Sequence, residues 1–329
     1  MDKCLIDEVI ECLPKGRTKY HYYKDRYALM LLSYQIGQGM KVADIKKSNL
    51  NKLLQRPQVK KLLANISNDF VNADALDGYW PSDVNDDLQN FVLTLSHWGG
   101  EVPRWQQTSR HGYNLVVQLN FSNAHNSLYR DMVKPCNSAA LNYYGHPVLR
   151  TDGIKDMRET LAWARLDIDF DTNEVLIEEI QSDWVREARD MLRDAEEAIS
   201  CDDNSIPWWG IEGKTENVIK YVNEVLMPYT KTWDEAMLAA TLEFVKNELG
   251  IRRVYYHSYE SGSILKTIEG NSPRNLYTRL PKRFCFEETD ESPVFLQHDR
   301  HFRKAMKKMV KPVWYRLDLE EVNRYAYCA

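Results

Sequence analysis

The residues best equipped for chemistry lie together in one run, Glu178-Glu179-Ile180-Gln181-Ser182-Asp183-Trp184. Three carboxylates, an amide and a hydroxyl within seven residues are too polar for a strand that merely fills a core. A carboxylate in a partly buried strand can have its pKa raised into a range suited to general acid–base work. Side chains alternate along a strand, so one of Glu178 and Glu179 is expected to face a site and the other to face away. Glu179 shares parity with Gln181 and Asp183 and is the expected one. The competing expectation is that these acids form structural ion pairs with Arg165 or Arg252.

The run needs elements to position it. Leu161–Phe170 alternates apolar and charged residues (Leu166, Ile168 and Phe170 against Arg165, Asp167 and Asp169), which predicts a half-buried strand. Asp171-Thr172-Asn173 has turn chemistry, and Val175–Ile180 is a second strand, so the pair should form an antiparallel hairpin. Ser182 or Asp183 can cap a helix through Met191. Further on, Leu238, Leu242, Val245 and Leu249 make one helix face, with Thr232 as a cap and Gly250 as the stop. Arg252–Ser258 reads as a strand that ends in His257 and Ser258, at the mouth of an expected cleft; His257 is either a satisfied polar residue there or, with Ser258, part of a binding site. Ser263–Ile268 starts a helix, Leu276–Phe286 leads into a strand, Asp299–Val310 is a basic helix, and Val313–Leu319 alternates like a closing edge strand. Trp184, Trp208, Trp209 and Trp233 either wall a pocket that stacks a nucleobase or pack in the core.

Upstream, the chain reads as a helical region over 1–98 followed by an α/β (α+β) unit over 99–329, with an insertion at about 187–229. Tyr27–Ile36, Val42–Leu54, Pro57–Ile66 and Leu88–Trp98 are the expected helices of the first part, and Asp69–Asp87 an acidic linker. Tyr113–Phe121 is β-rich, Ala124–Val133 helical, and Tyr143–Leu149 a short strand. Of 329 residues 43% are hydrophobic and 28% charged, which suits a sizeable core and argues against global disorder. The six cysteines (4, 12, 136, 201, 285, 328) include no Cys-x-x-Cys pair, so no metal site is expected. With acids near the N-terminus and no long apolar run, a cytoplasmic chain without membrane contact is expected.

Taken together, the blocks resemble the GNAT N-acetyltransferase superfamily over roughly residues 110–320. EAMLAATLEFVKNELGIRRVYYHSYESGSILK…LYTRLPKRFCFEE is similar to its C-terminal half, and LDIDFDTNEVLIEEIQSD to its two central strands. The resemblance implies a mixed sheet flanked by helices, with acetyl-CoA or another acyl-CoA lying where Val175–Ile180 and Arg252–Ser258 splay apart. It makes Glu179 or Glu178 the general base and puts Tyr277 where a tyrosine protonates the departing thiolate. One departure concerns the cofactor. The superfamily cradles the pyrophosphate with a glycine-rich turn at a helix N-terminus; this chain has Gln181-Ser182-Asp183-Trp184-Val185-Arg186, and Asp183 would repel a phosphate. Either Tyr229-Thr230-Lys231-Thr232, through Lys231 and Thr232, takes over, or the fold does not bind CoA.

Two other resemblances lead elsewhere. EEIQSDW is similar to a domain embedded in large phage and prophage polyvalent proteins, which implies a mobile-element context and no particular chemistry. Asp167 or Asp169 with Glu179-x-Gln181 resembles the acidic core of PD-(D/E)xK nucleases, which hold Mg²⁺ between two acids and use a nearby lysine. Gln181 stands where that lysine is usual. A non-catalytic module that binds protein or nucleic acid is the third expectation.

Lys15–Lys61 carries twelve Lys/Arg and two acids, a local charge of +10 in a chain of net −5. This is either a solvated helical face or a contact for nucleic acid. If it contacts nucleic acid, affinity for generic DNA or RNA should fall steeply as salt rises, because released counterions drive such binding. Binding that ignores salt would exclude this electrostatic contact.

Overall fold

The computed structural model describes residues 1–12, 18–66, 68–82, 88–100, 107–136, 140–143, 145–150, 158–201, 209–266, 273–308 and 313–319. Its strands in chain order are β1 (Thr18–Tyr22), β2 (Met40–Lys41), β3 (Phe70–Val71), β4 (Gln89–Gly100), β5 (Gly112–Phe121), β6 (Thr160–Asp169), β7 (Glu174–Gln181), β8 (Arg253–His257), β9 (Glu287–Thr289) and β10 (Trp314–Asp318). Eight form a single mixed sheet in the order β1-β4-β5-β6-β7-β8-β10-β9, and β2 with β3 makes a small separate pair. Only β7 and β8 run parallel; the other neighbours in the large sheet are antiparallel. The helix Trp233–Asn247 supplies part of the crossover that a parallel pair requires.

The two faces of the sheet differ in kind, and period-two alternation is the reason. Leu115, Val117 and Leu119 of β5, Leu166 and Ile168 of β6, and Val254 and Tyr256 of β8 enter one large core. The helices Arg26–Gln35, Asp183–Ser200 and Trp233–Asn247 contribute Leu31, Ala188 and Leu242 to it. On the opposite face, Leu176, Tyr255 and Trp314 join Leu265, Phe295, Leu296 and Phe302 in a smaller cluster. Much of the rest of that face is polar, with Val92, Val116 and Trp163 among the polar groups. Gln118 and Asn120 of β5 and Arg165 and Asp167 of β6 are buried there, and Thr94 of β4 donates to Gln118 Oε1 at 2.6 Å.

The hairpin, Tyr113–Phe121, the helix Asn123–Val133 and the helix that stops before Gly250 (φ +66°) match the sequence-based expectations closely. Several others are corrected. Leu88–Trp98 is no helix but most of β4, because Phe91, Leu93 and Leu95 alternate with Val92, Thr94 and Ser96, and the strand is paired with β1 as far as Leu93 and with β5 from Phe91 onward. With β1 it puts two strands of the large sheet inside the stretch read as helical, beside the small β2–β3 pair. Tyr143–Leu149 forms no strand among the described residues; Gly145 and Pro147 interrupt it. β10 is not an edge strand, since β9 pairs outside it. The helix expected to stop at Met191 continues to Ser200, into the expected insertion. Lys15, Arg17, Trp208 and Cys328 lie outside the described residues. No helix among the described residues is long and apolar enough to cross a membrane.

Trp184 shows how the helix after β7 is anchored. It is 1% exposed, packs edge-on to Tyr129 at 4.7 Å and Phe121 at 5.3 Å, and donates from Nε1 to Tyr221 Oη at 2.9 Å. Trp184→Ala should therefore cost about 3–5 kcal/mol in urea denaturation. A loss below about 1 kcal/mol, the level of a surface change, would mean that the packing carries little.

Candidate functional site

β7 and β8 stay paired for four residues and then part. The register runs from Glu174↔Arg253 to Ile177↔Tyr256 and stops before Glu178 and His257. On the other side of β7 the register slips at the same place: Arg165 pairs with Glu179, while the next residue, Leu166, pairs with Ile177. Glu178 is thus the extra residue of a β-bulge, which bends its strand and re-aims side chains. Val175, Ile177 and then Ile180 enter the large core, so parity changes across the bulge. The expectation that Glu178 and Glu179 face opposite ways fails for this reason. Both carboxylates act on the same cations, Lys266 and Arg165.

The gap between the strands is filled by buried polar groups. Glu178 is fully buried and accepts from Ser109 N and Ser109 Oγ, each at 2.9 Å. Its Oε2 lies 3.1 Å from His257 Nε2, which is also 3.0 Å from Ser109 Oγ. His257 Nδ1 meets Ser261 Oγ at 3.0 Å. Ser258 accepts from Ser261 N at 3.1 Å and so caps the helix Tyr259–Lys266. The last residue of that helix, Lys266, is fully buried and donates to the backbone carbonyl of Glu178. Its ammonium sits 5.5 Å from the ring centre of Tyr277, itself 3% exposed.

Electrostatics follow from this packing. Burial pushes the Glu178 carboxyl up, but the hydrogen bond and charge of His257, with Lys266 and Arg165, outweigh it and bring the pKa to about 2. Burial lowers His257 and Lys266 and raises the Tyr277 phenol. Burial also raises Glu179, yet the charge of Arg165 and Lys266 holds it below the usual carboxylate range. Arg165 donates to Glu179 and, at 3.1 Å, to Gln107 O, and Trp98 lies 5.4 Å from its guanidinium. Arg110 grips Asp167 with two bonds of 2.8 Å.

A second, more open group stands at the start of the helix Asp183–Ser200. Asp183 Oδ2 lies 2.7 Å from His146 Nδ1, and Arg186 donates to Asp183 Oδ1 at 2.8 Å. Gln181 donates to Asp183 Oδ1 and lies 3.2 Å from His146 Nδ1. The Asp183 side chain is 1% exposed and that of His146 25%. Burial raises the Asp183 carboxyl, but the hydrogen bond and charge of His146 with Arg186 hold it low. Tyr143, Trp163 and Trp98 surround the imidazole at 4.8, 5.5 and 6.2 Å. Among the described residues nothing hydrogen-bonds His146 Nε2. A carboxylate at Nδ1 fixes the tautomer that leaves Nε2 able to accept a proton.

The structure therefore sorts the expected site residues into groups. Glu178, Glu179, His257, Ser258 and Tyr277 gather at the strand divergence. Gln181 and Asp183 sit with His146, and Trp184 lies in the core. Lys231 is exposed, and Thr232 Oγ1 donates to Gln89 Oε1 at 2.9 Å. Sequence reasoning missed Ser109, Arg110, His146 and Lys266. The first three lie in aperiodic loops. Lys266 read as an ordinary residue of a helix that the structure ends there. Among the described residues no group of three or more His, Cys, Asp or Glu is arranged to hold a metal ion.

The buried network makes stability pH-dependent, with one sign. His257 is held below 6.5 and Glu178 near 2 against 4.5, so the unfolded chain takes up these protons first on acidification. Their stabilisation is complete above pH 6.5; the His257 part is lost as pH falls below that value, and the Glu178 part between 4.5 and about 2. His257→Asn should remove a measurable part of the decline in urea midpoint between about pH 7 and pH 5. An identical decline in wild type and variant would disprove the linkage.

No protein-family model matches this chain, nor does any curated protein or solved structure.

Proposed function

We propose that this chain is a group-transfer enzyme with a GNAT-like sheet, working on its polar face with His146 as general base and without CoA in the strand divergence. The architecture is supported by three features of the sheet. A parallel pair, β7 and β8, parts after four residues. A bulge marks the point of parting. The strand that follows β9 in sequence returns between β8 and β9.

The residues present do not fit an acyl-CoA. The Glu178 carbonyl that would face a pantetheine amide takes the Lys266 ammonium, and Ser109 and His257 fill the space beside it. At the following helix start Ser182 Oγ already accepts from Val185 N at 3.1 Å, and Asp183 puts a negative charge where a pyrophosphate would lie. Lys231 and Thr232 offer no substitute cradle, because Thr232 is tied to β4.

The observation that carries the reading is the 2.7 Å contact between Asp183 and His146 at the rim of a polar, aromatic-walled surface. In this reading Asp183 orients the imidazole and stabilises its charge. His146 Nε2 removes the proton from an acceptor amine or hydroxyl as that acceptor attacks an activated acyl group, and the imidazolium returns the proton to the leaving group as the bond between it and the acyl carbon breaks. Gln181 and Arg186 hold Asp183 in place. Glu179 is a poorer base than sequence parity implied, since Arg165 already holds its carboxylate. The same argument weakens the Mg²⁺-dependent nuclease reading: Arg110 and Arg165 neutralise Asp167 and Glu179, the acids it would use.

Turnover of p-nitrophenyl acetate should fall at least about tenfold in His146→Ala and in Asp183→Asn, within the usual range for a general base. Full turnover in both variants would exclude His146 as the base, and no turnover above background in the unsubstituted chain would favour a non-catalytic binding module. Millimolar acetyl-CoA should leave the melting temperature unchanged; a clear rise would show that the divergence opens to the cofactor.

A further inference from the structure

Two hollows flank the turn that joins β6 to β7. One, of about 900 Å³, is lined by Tyr113, Phe170 and Phe295 and reaches Asp299, the residue before the helix Arg300–Met306. The other, of about 400 Å³, is lined by Leu5, Val9, Phe170 and Leu249, with Glu8 and Glu248 exposed beside them. Phe170 and Leu5 line both hollows and so form the ridge that divides them. The Phe170 ring is 42% exposed, a large apolar group left in water between two partly apolar hollows. An exposed patch of this kind marks a surface that another surface covers.

Charge is sorted across the ridge. At one end stand Glu8, from the helix Lys3–Cys12, and Glu248, which ends the helix Trp233–Asn247. At the other end the larger hollow meets the basic helix: His301 stands edge-on to His111, which lines that hollow, at 6.3 Å. Arg300, Arg303 and Lys304 are exposed on this helix, while Phe302 and Ala305 on its opposite side pack into the smaller core. Among the described residues none of these acids or bases makes an ion pair. The hollow separates the two sets, so they do not meet within one molecule.

We infer that this face pairs with the same face of a second copy of the chain about a two-fold axis. A two-fold interface uses one patch on both subunits, so that patch must be complementary to itself. This one is. Turned by half a rotation, the Glu8 and Glu248 end of one copy faces the Arg300, Arg303 and Lys304 end of the other, and each Phe170 meets the other's larger hollow. A partner of a single sign fits worse: a basic peptide leaves the arginines and lysine opposed, and a nucleic acid meets the carboxylates. The inference concerns a surface apart from the His146 group and does not depend on the reading given to it.

The test is sedimentation velocity of the full chain over about 1–100 µM, where mass action should convert monomer to dimer. The dimer should weaken as salt rises, because exposed charges are screened. Phe170→Ser removes an exposed ring and should weaken it at least about tenfold, as loss of a central apolar anchor does. The paired reversals Glu8→Lys with Glu248→Lys, and Arg303→Glu with Lys304→Glu, should each leave a monomer. Mixing the two reversed chains should restore the dimer, since each then carries the sign that the other lacks. A variant that had simply failed to fold would not be rescued in this way. A chain that stays monomeric throughout, even one that binds a basic peptide, would overturn the inference. So would a dimer that none of these changes weakens, or reversed chains that do not recover on mixing.

Discussion

One extra residue in β7 governs the centre of this molecule. Without the bulge at Glu178, β7 would keep strict alternation, and one of the two neighbouring glutamates would point into the apolar core. With it, both turn to the polar face and β7 bends away from β8. The gap that opens must be filled by groups that satisfy the polar atoms it uncovers. Lys266 does this for the Glu178 carbonyl, and Ser109 and His257 do it for the Glu178 carboxylate.

The charges that gather there stabilise one another conditionally. Taking an ion out of water costs several kcal/mol, and a partner offsets that only with good geometry and further hydrogen bonds. Glu178 meets the condition with contacts to Ser109 and His257, and Asp167 with the two-pronged grip of Arg110. The ion pairs first weighed as a competing explanation for the acids are real: Glu179 is held by Arg165. The opening at the rim is different. His146 is a quarter exposed and carries its carboxylate at one nitrogen, so it keeps a chemical freedom that the buried residues have given up.

How much of this was legible depended on periodicity. The β6–β7 hairpin was readable because Leu166 and Ile168 alternate with Arg165 and Asp167 and the turn has its own chemistry. β4 was not, because Leu88–Trp98 packs apolar residues densely enough to suit either period, and only pairing to β1 and β5 decides between them. Glu178 and Glu179 were identified as site residues, but their directions were misjudged, since a bulge has no signature in one sequence. Ser109 and His146 left no trace because loop residues reach the site through chain reversals that obey no repeat. Lys266 was hidden in the last turn of a short helix, where a lysine normally points to water.

The strand order has a consequence for assembly in time. β7 and β8 are joined by contacts that span 79 residues, as in the bond from Arg253 to Glu174. Such pairings close slowly, because a long loop must be ordered before any contact rewards it. β10, latest of the ten strands in chain order, then has to enter between β8 and β9, and its Trp314 comes to 5.0 Å from His257. The buried network is therefore sealed only when β10 docks. A chain still emerging from the ribosome carries its hairpin early and its closed polar centre last.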